Sequence, residues 1–143
     1  MRVEESIEIA RPRQTVWEFV ADASNDPRWC PKVRSVVAAG DRRWKVVHKP
    51  VPLRPPVELT VEYIEIEPPY RLRIREEDEA SVFEVEYRLD ESGAGTRFTQ
   101  VSDFERKRLP RFLRGTFARG VRGDVRRQLR SLKSTLETRG AGS

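Results

Sequence analysis

The chain has 143 residues, 37% of them hydrophobic and 36% charged, with a formal net charge of +5, which suits one domain over residues 1–143 that buries a core without disulfides or metal. No run approaches the ~18–20 apolar residues that cross a bilayer, Met1-Arg-Val-Glu-Glu5 lacks the apolar stretch of a signal peptide, and the expected compartment is the cytoplasm. One cysteine, Cys30, and one histidine, His48, exclude an internal disulfide and nearly exclude a His/Cys zinc site, so no metal or other cofactor is expected.

Residues 5–10 alternate, with Val3, Ile7 and Ile9 on one face, and predict a strand. Pro12 opens a helix, where its missing N–H costs nothing, and Val16, Trp17, Phe19 and Val20 give that helix an apolar side ending near Asp22. Asn25-Asp-Pro27 predicts the cap of a short second helix carrying Trp29 and Cys30, and Pro31 stops it. From Val33 the period becomes two. Residues 33–38 form a short strand, and Trp44, Val46 and His48 share a face of the next. Pro50, Pro52, Pro55 and Pro56 predict a hairpin loop, because proline cannot donate to a sheet ladder.

Val57, Leu59, Val61 and Tyr63 share a strand face. Ile64 and Ile66 fall on the other parity, which predicts a bulge near Tyr63. After Pro68-Pro69, Leu72 and Ile74 alternate with Arg71, Arg73 and Arg75. Phe83, Val85, Tyr87 and Leu89 alternate with Glu84, Glu86 and Arg88. A Ser92-Gly-Ala-Gly95 turn then leads to Phe98, Gln100, Ser102 and Phe104. Short turns make neighbouring strands antiparallel, and arginines facing glutamates on the wet side help to fix register. The apolar side needs a cover. Leu113, Phe117, Val121, Val125, Leu129, Leu132 and Leu136 recur every three or four residues and predict a long helix that supplies it. Gly115, Gly120 and Gly123 inside that helix allow a bend, keep space open beside it, or are simply tolerated. Residues 139–143 read as a frayed tail.

The expected fold is α+β: a seven-stranded antiparallel curved sheet wrapped around a long C-terminal helix, with two short helices after the first strand. Ile7-Glu-Ile-Ala-Arg-Pro-Arg-Gln-Thr-Val-Trp-Glu-Phe-Val-Ala-Asp22 and Asn25-Asp-Pro-Arg-Trp-Cys-Pro31 resemble the opening of the START-like (helix-grip, SRPBCC) superfamily, and within it the polyketide cyclase/dehydrase branch. Glu67-Pro-Pro-Tyr-Arg-Leu72 and Gly95-Thr-Arg-Phe98 extend the resemblance over nearly the whole chain. It implies a helix-grip fold with a deep cavity between sheet and long helix, in a superfamily of lipid and sterol carriers, aromatic polyketide cyclases and hormone receptors. It also implies that Trp29 closes one end of the cavity.

Inward parity nominates Trp44, His48, Tyr63, Phe83, Tyr87, Gln100 and Ser102 as lining residues, with Phe112 and Phe117 approaching from the long helix. His48 is a general acid or base by its ordinary pKa of ~6.5, or else a rim or hydrogen-bonded interior histidine. The tyrosines orient a ligand oxygen or merely pack. Gln100 and Ser102, polar on an apolar face, call for a ligand, a water or each other. Cys30 has only His48 as a base, and a Cys–His dyad is not expected. Paired inward carboxylates are expected to be missing, with most acids on the wet face.

Residues 106–143 hold twelve Lys and Arg against two acids, +10, while the remainder carries −5. That asymmetry marks an anionic membrane or nucleic-acid surface, or a solvated helix face drawn to the acidic body of its own subunit or of a homodimer partner. Nucleic acid is disfavoured because no aromatic residues interleave on the basic face. Three functions follow: a module that binds or carries a hydrophobic molecule (lipid, isoprenoid or polyketide-like), a polyketide cyclase/aromatase using the same cavity, and an anionic-surface binder. The thin polar inventory favours the first.

Overall fold

A computed structural model describes the backbone of residues 1–49 and 55–141. The elements are β1 (Arg2–Ile9), α1 (Arg13–Val20), a 3-10 turn (Ala23–Asn25), α2 (Asp26–Trp29), β2 (Val33–Gly40), β3 (Arg43–His48), β4 (Val57–Glu67), β5 (Arg71–Glu77), β6 (Ser81–Ser92), β7 (Gly95–Arg106), a second 3-10 turn (Arg111–Leu113) and α3 (Arg114–Ala141). The seven strands form one antiparallel sheet in the order β1-β7-β6-β5-β4-β3-β2, and α3 covers its apolar face. The helix-grip expectation is met. Of the proline-rich connection, Pro50 and Pro52 lie outside the described residues, while Pro55 and Pro56 lead directly into β4.

Alternation dictates most of the core. Leu72, Ile74, Val85, Tyr87, Leu89, Phe98 and Phe104 point inward from β5–β7 and are buried with Val125, Leu129, Leu132 and Leu136 of α3. The ladder of β4 on β5 shifts register between Tyr63 and Glu65, which is the expected bulge. One consequence was not legible in the pattern: the bulge brings Glu65 against two arginines, at 2.9 Å from Arg71 and 2.6 Å from Arg73. Across β5–β6, Arg73 lies opposite Glu86 and Arg75 opposite Glu84, but Arg71 lies opposite Arg88. The close ion pair there is diagonal, Arg71 to Glu86 at 2.6 Å. Such solvent-facing pairs each contribute about 0–1 kcal/mol, so they select register more than they stabilise.

Two local expectations are corrected. Asn25 stands at the N-cap position of α2, as expected, but its side chain makes no cap bond; its Nδ2 donates back to the Phe19 carbonyl at 3.0 Å and ties the turn to α1. The side-chain cap in this stretch belongs to the preceding 3-10 turn, where the Asp22 carboxylate accepts from Ser24 N at 3.0 Å and Ser24 Oγ at 2.6 Å. The apolar stripe of α3 also begins later than its spacing implies. Phe112 and Leu113 fall in the 3-10 turn after Pro110, 83% and 39% exposed. Phe117 and Val121 are only partly buried, and full burial starts at Val125.

Part of the basic segment is engaged with the chain's own acids. Arg122 and Arg126 both reach Glu5 of β1, at 2.7 and 3.0 Å, Lys133 pairs with Glu137 at 2.8 Å, and Arg127 pairs with Asp124. Among the described residues no helix is long and apolar enough to cross a membrane.

Gly95 is required by close approach. A Cβ built there would stand 2.4 Å from the Ile9 carbonyl oxygen, where β1 ends against β7. Gly95→Ala is expected to destabilise by about 1–3 kcal/mol, the usual cost of overpacking, and to lower the melting temperature by several degrees. Gly120→Ala, whose Cβ would meet nothing within 4 Å, is the control. It is expected to leave stability unchanged or raise it by up to about 1 kcal/mol through helix propensity. Equal melting temperatures for the two variants would refute this reading.

Candidate functional site

Between the sheet and α3 lies a narrow cleft of about 40 Å³. That is room for a few waters, far below the roughly 300–1,000 Å³ typical of ligand pockets. The deep cavity implied by the resemblance is therefore not open in this structure, because inward side chains from the sheet and α3 meet across it.

The floor comes from paired positions on β6 and β7. Tyr87 lies opposite Gln100, Val85 opposite Ser102 and Phe83 opposite Phe104. His48 enters from the end of β3, and Glu76 from β5 on the same parity as Leu72 and Ile74. Asp26 comes from α2, followed by Cys30 and Lys32, and α3 contributes Val121, Asp124, Val125 and Gln128.

Of the residues nominated from sequence, the cleft brings together His48, Phe83, Tyr87, Gln100 and Ser102. The others take different positions. Trp29 is fully buried, edge-on to Tyr87 and Phe98 with ring centroids 5.7 and 6.2 Å away. Trp44 packs on Tyr63 at 4.4 Å, and Phe117 packs on Phe104 at 5.7 Å under the Arg106 guanidinium. Phe112 does not approach the cleft; it stands in solvent.

Gln100 finds its partner in a residue the sequence reading omitted. Gln128 Nε2 of α3 donates to Gln100 Oε1 at 3.1 Å, both side chains being buried. This bond clasps helix to sheet at the centre of the cleft, and a buried amide left without it would cost about 1–3 kcal/mol.

The expectation that inward carboxylates are missing is overturned by Asp26 and Glu76. Burial pushes the Asp26 carboxyl well above the usual carboxylate range, and repulsion from Glu76 and then Asp22 adds to this. The Trp29 indole N–H opposes the shift least of all, at a geometry short of a full hydrogen bond. Glu76 is raised by burial and held back by the Lys32 ammonium. His48 goes the other way: burial and then repulsion from Lys32 bring it down to about 3, against a smaller attraction from Asp78. Burial also raises the Tyr63 and Tyr87 phenols, with Asp26 and Cys30 among the contributors. The same effect, followed by Asp26 and Glu76, raises Cys30 well above its ordinary value. Cys30 is therefore a buried thiol and a poor nucleophile.

The arrangement thus shifts Asp26, Glu76, Cys30, His48 and Tyr87 toward their uncharged forms. The Tyr87 phenol offers a hydrogen-bond donor, the neutral imidazole and two amides offer acceptors, and the Asp26 and Glu76 carboxyls, both shifted toward the protonated form, become donors when they hold a proton. Among the described residues no three of His, Cys, Asp and Glu converge as metal ligands. Glu76 was legible from its parity with Ile74, and Gln128 from its spacing behind Val121 and Val125. Asp26 carried no periodic signal.

Outside the cleft, and sharing Lys32, Asp124 and Gln128 with it, lies a wider vestibule of about 320 Å³ lined also by Pro31, Arg34, Lys49 and Arg127.

Comparison with known proteins agrees with this geometry at the level of fold. The chain is similar to TTHA0849 from Thermus thermophilus, with 20% identity and a TM-score of 0.80 over 96% of this chain and 98% of that one. It is similar to the Zhui aromatase/cyclase of a Streptomyces strain, with 16% identity and a TM-score of 0.79 over 97% and 94% of the two chains. A third likeness is to the di-domain ARO/CYC BexL, with 20% identity and a TM-score of 0.78, where 96% of this chain matches 46% of the longer one. No protein of curated function matches the chain. The family model described as "Polyketide cyclase / dehydrase and lipid transport" matches residues 1–137. With all but the last six residues inside that match, the chain belongs to the polyketide cyclase/dehydrase and lipid transport family.

Proposed function

We propose that this protein binds a small, mainly apolar molecule bearing carbonyl or hydroxyl oxygens, polyketide-like in character, between its sheet and α3. The observation that carries this reading is the convergence of Tyr87, Gln100, Ser102, Asp26 and Glu76 on one cleft that also presents Phe83 and several valines. Polar groups shifted toward their uncharged forms recognise ligand oxygens at a lower cost than buried charges would. A plain hydrocarbon chain would leave those groups without partners. Burial of the ligand's apolar surface, at ~25 cal/mol per Å², drives association.

The cleft admits such a guest by moving the first half of α3. Residues 114–124 contain no fully buried side chain, whereas Val125, Leu129, Leu132 and Leu136 anchor the second half. Lifting the first half would part Phe117 from Phe104 and Arg122 from Glu5 but expose no fully buried side chain of that half, and the Gln100–Gln128 clasp sits near the boundary.

A second reading, cyclisation of a bound poly-β-ketone, is favoured by one observation: an acid, Glu76, and a neutral imidazole, His48, line the same cleft. A carboxyl beside an imidazole acceptor would orient the oxygens of a folded chain, and proximity would supply most of the acceleration of ring closure.

One titration separates the readings. A hydroxylated anthraquinone is added to the full chain, with palmitate as control, while tryptophan emission and amide exchange of residues 114–124 are followed. The binding reading expects saturable quenching by the anthraquinone, weaker binding of palmitate and a change in that exchange. No saturable response to either would refute it. Conversion of a poly-β-ketone mimic, lost in His48→Gln, would move the conclusion to the cyclase.

A further inference from the structure

We propose that the vestibule at the mouth of the cleft is a site for an anionic group, a carboxylate or a phosphate, carried by the same ligand whose neutral body enters the cleft. The inference rests on the binding reading for the body of the ligand, and on the vestibule itself for the anion.

The first observation is charge without partners. Four cations, Lys32, Arg34, Lys49 and Arg127, surround the vestibule, against one carboxylate, Asp124. Asp124 is already paired with Arg127. Among the described residues, Lys32, Arg34 and Lys49 have no carboxylate within 4.0 Å. On the sheet, by contrast, Arg71, Arg73, Arg75, Arg88 and Arg97 each have at least one.

The second observation is that the fold holds these cations together. Lys49 N donates to the Lys32 carbonyl at 2.8 Å, beyond the last pair of the β2–β3 ladder. The two lysines are thus fixed side by side where the strands splay. Arg34 stands at the irregularity of the β2–β3 ladder between Val33 and Ser35, exposed beside the buried Val33. Like charges at such spacing repel, and a bound anion converts that repulsion into charge-assisted hydrogen bonds.

The third observation is continuity. Lys32, Asp124 and Gln128 line both the cleft and the vestibule, and the Lys32 ammonium acts on both His48 and Glu76 inside. A ligand long enough to cover Lys32 would therefore place its acid end among the cations and its neutral oxygens among the uncharged donors. The vestibule volume, about 320 Å³, accommodates a carboxylate or phosphate with several atoms of linker. A ligand carrying the charge at its inner end would have to bury it beside two carboxyls.

The test uses the full chain and three probes with one ring system: 2-naphthol, 2-naphthoate and 2-naphthyl phosphate, titrated at low and high salt. Both anions are expected to bind about tenfold or more tighter than 2-naphthol, the difference made by one charge-assisted contact. That advantage is expected to shrink with salt and to fall to near unity in Lys32→Gln/Lys49→Gln. Lys49→Gln alone, at a less enclosed position, is expected to lose part of it with an unchanged melting temperature. A preference for naphthyl phosphate over naphthoate would assign the site to phosphate, and the reverse to carboxylate. Equal affinity of all three probes, or an advantage that survives the double variant, would overturn the proposal while leaving the cleft reading intact. Inorganic phosphate supplies the opposite arm: amide shifts confined to residues 32–34 and 49, with no probe perturbing Tyr87 or Gln100, would uphold the anion site and sink the cleft.

Discussion

Asp26→Asn raises the thermal stability of this protein at pH 8 and changes it little at pH 4, and Glu76→Gln does the same to a smaller extent. Both carboxyls have folded-state pKa values raised by burial. A group whose pKa is raised on folding contributes stability that is fully present below its unfolded pKa, ~4 for a carboxyl. That contribution is lost as pH rises through the folded value, because the unfolded chain ionises freely and the folded cleft resists ionisation. The amides have no proton to lose and no such dependence. A buried polar group left without a partner costs about 1–3 kcal/mol, so a gain of that order at pH 8 is expected.

Asp26 gains more because Glu76 and Asp22 both repel its charge, while Lys32 partly compensates Glu76. The measurement is a melting temperature profile from pH 4 to pH 9 for the natural chain and both variants. Parallel profiles would show that neither acid is held neutral, and the uncharged character assigned to the cleft would fall with them. The same variants bear on the proposed function: recognition of ligand oxygens would account for two carboxyls kept in the interior at a cost in stability.

The larger single effect is expected along α3. Leu132→Ala should cost about 2–5 kcal/mol, the range for removing a fully buried leucine, because Leu132 has no exposed surface. The size-matched pair Val125→Ala and Val121→Ala isolates the difference between the two halves of the helix. Val125 is buried and Val121 only partly so, so Val121→Ala should cost about 1 kcal/mol or less and Val125→Ala clearly more. Denaturant unfolding of the three variants, with amide exchange of the natural chain, checks this. Exchange should be faster over residues 114–124 than over 125–136. Equal costs for the two valines and uniform protection would mean a helix that moves as one piece, and the route proposed for ligand entry would be closed.

Much of the architecture follows from the amino-acid sequence alone. Alternation at Leu72, Ile74, Phe83, Val85, Tyr87 and Leu89 assigns the two faces of the sheet, because successive strand side chains point to opposite sides. The parity change after Tyr63 locates the bulge for the same reason. The three-and-four spacing from Phe117 to Leu136 defines the covering helix, and the Ile7 to Pro31 stretch carries the family. Tertiary structure alone decided the interior. Periodicity states which way a side chain points, but not how far the opposite wall stands from it, and the size of a cleft is the small difference between sheet curvature and side-chain bulk. Hence Phe112 left the site that spacing offered it, and the expected deep cavity is a narrow slot. Asp26, Glu76 and Gln128 are separated by at least fifty residues in the chain, and only the curl of β5–β7 beneath α3 brings them to one place. Their charge states follow from that enclosure, because desolvation is a property of surroundings and no residue carries it in its own name.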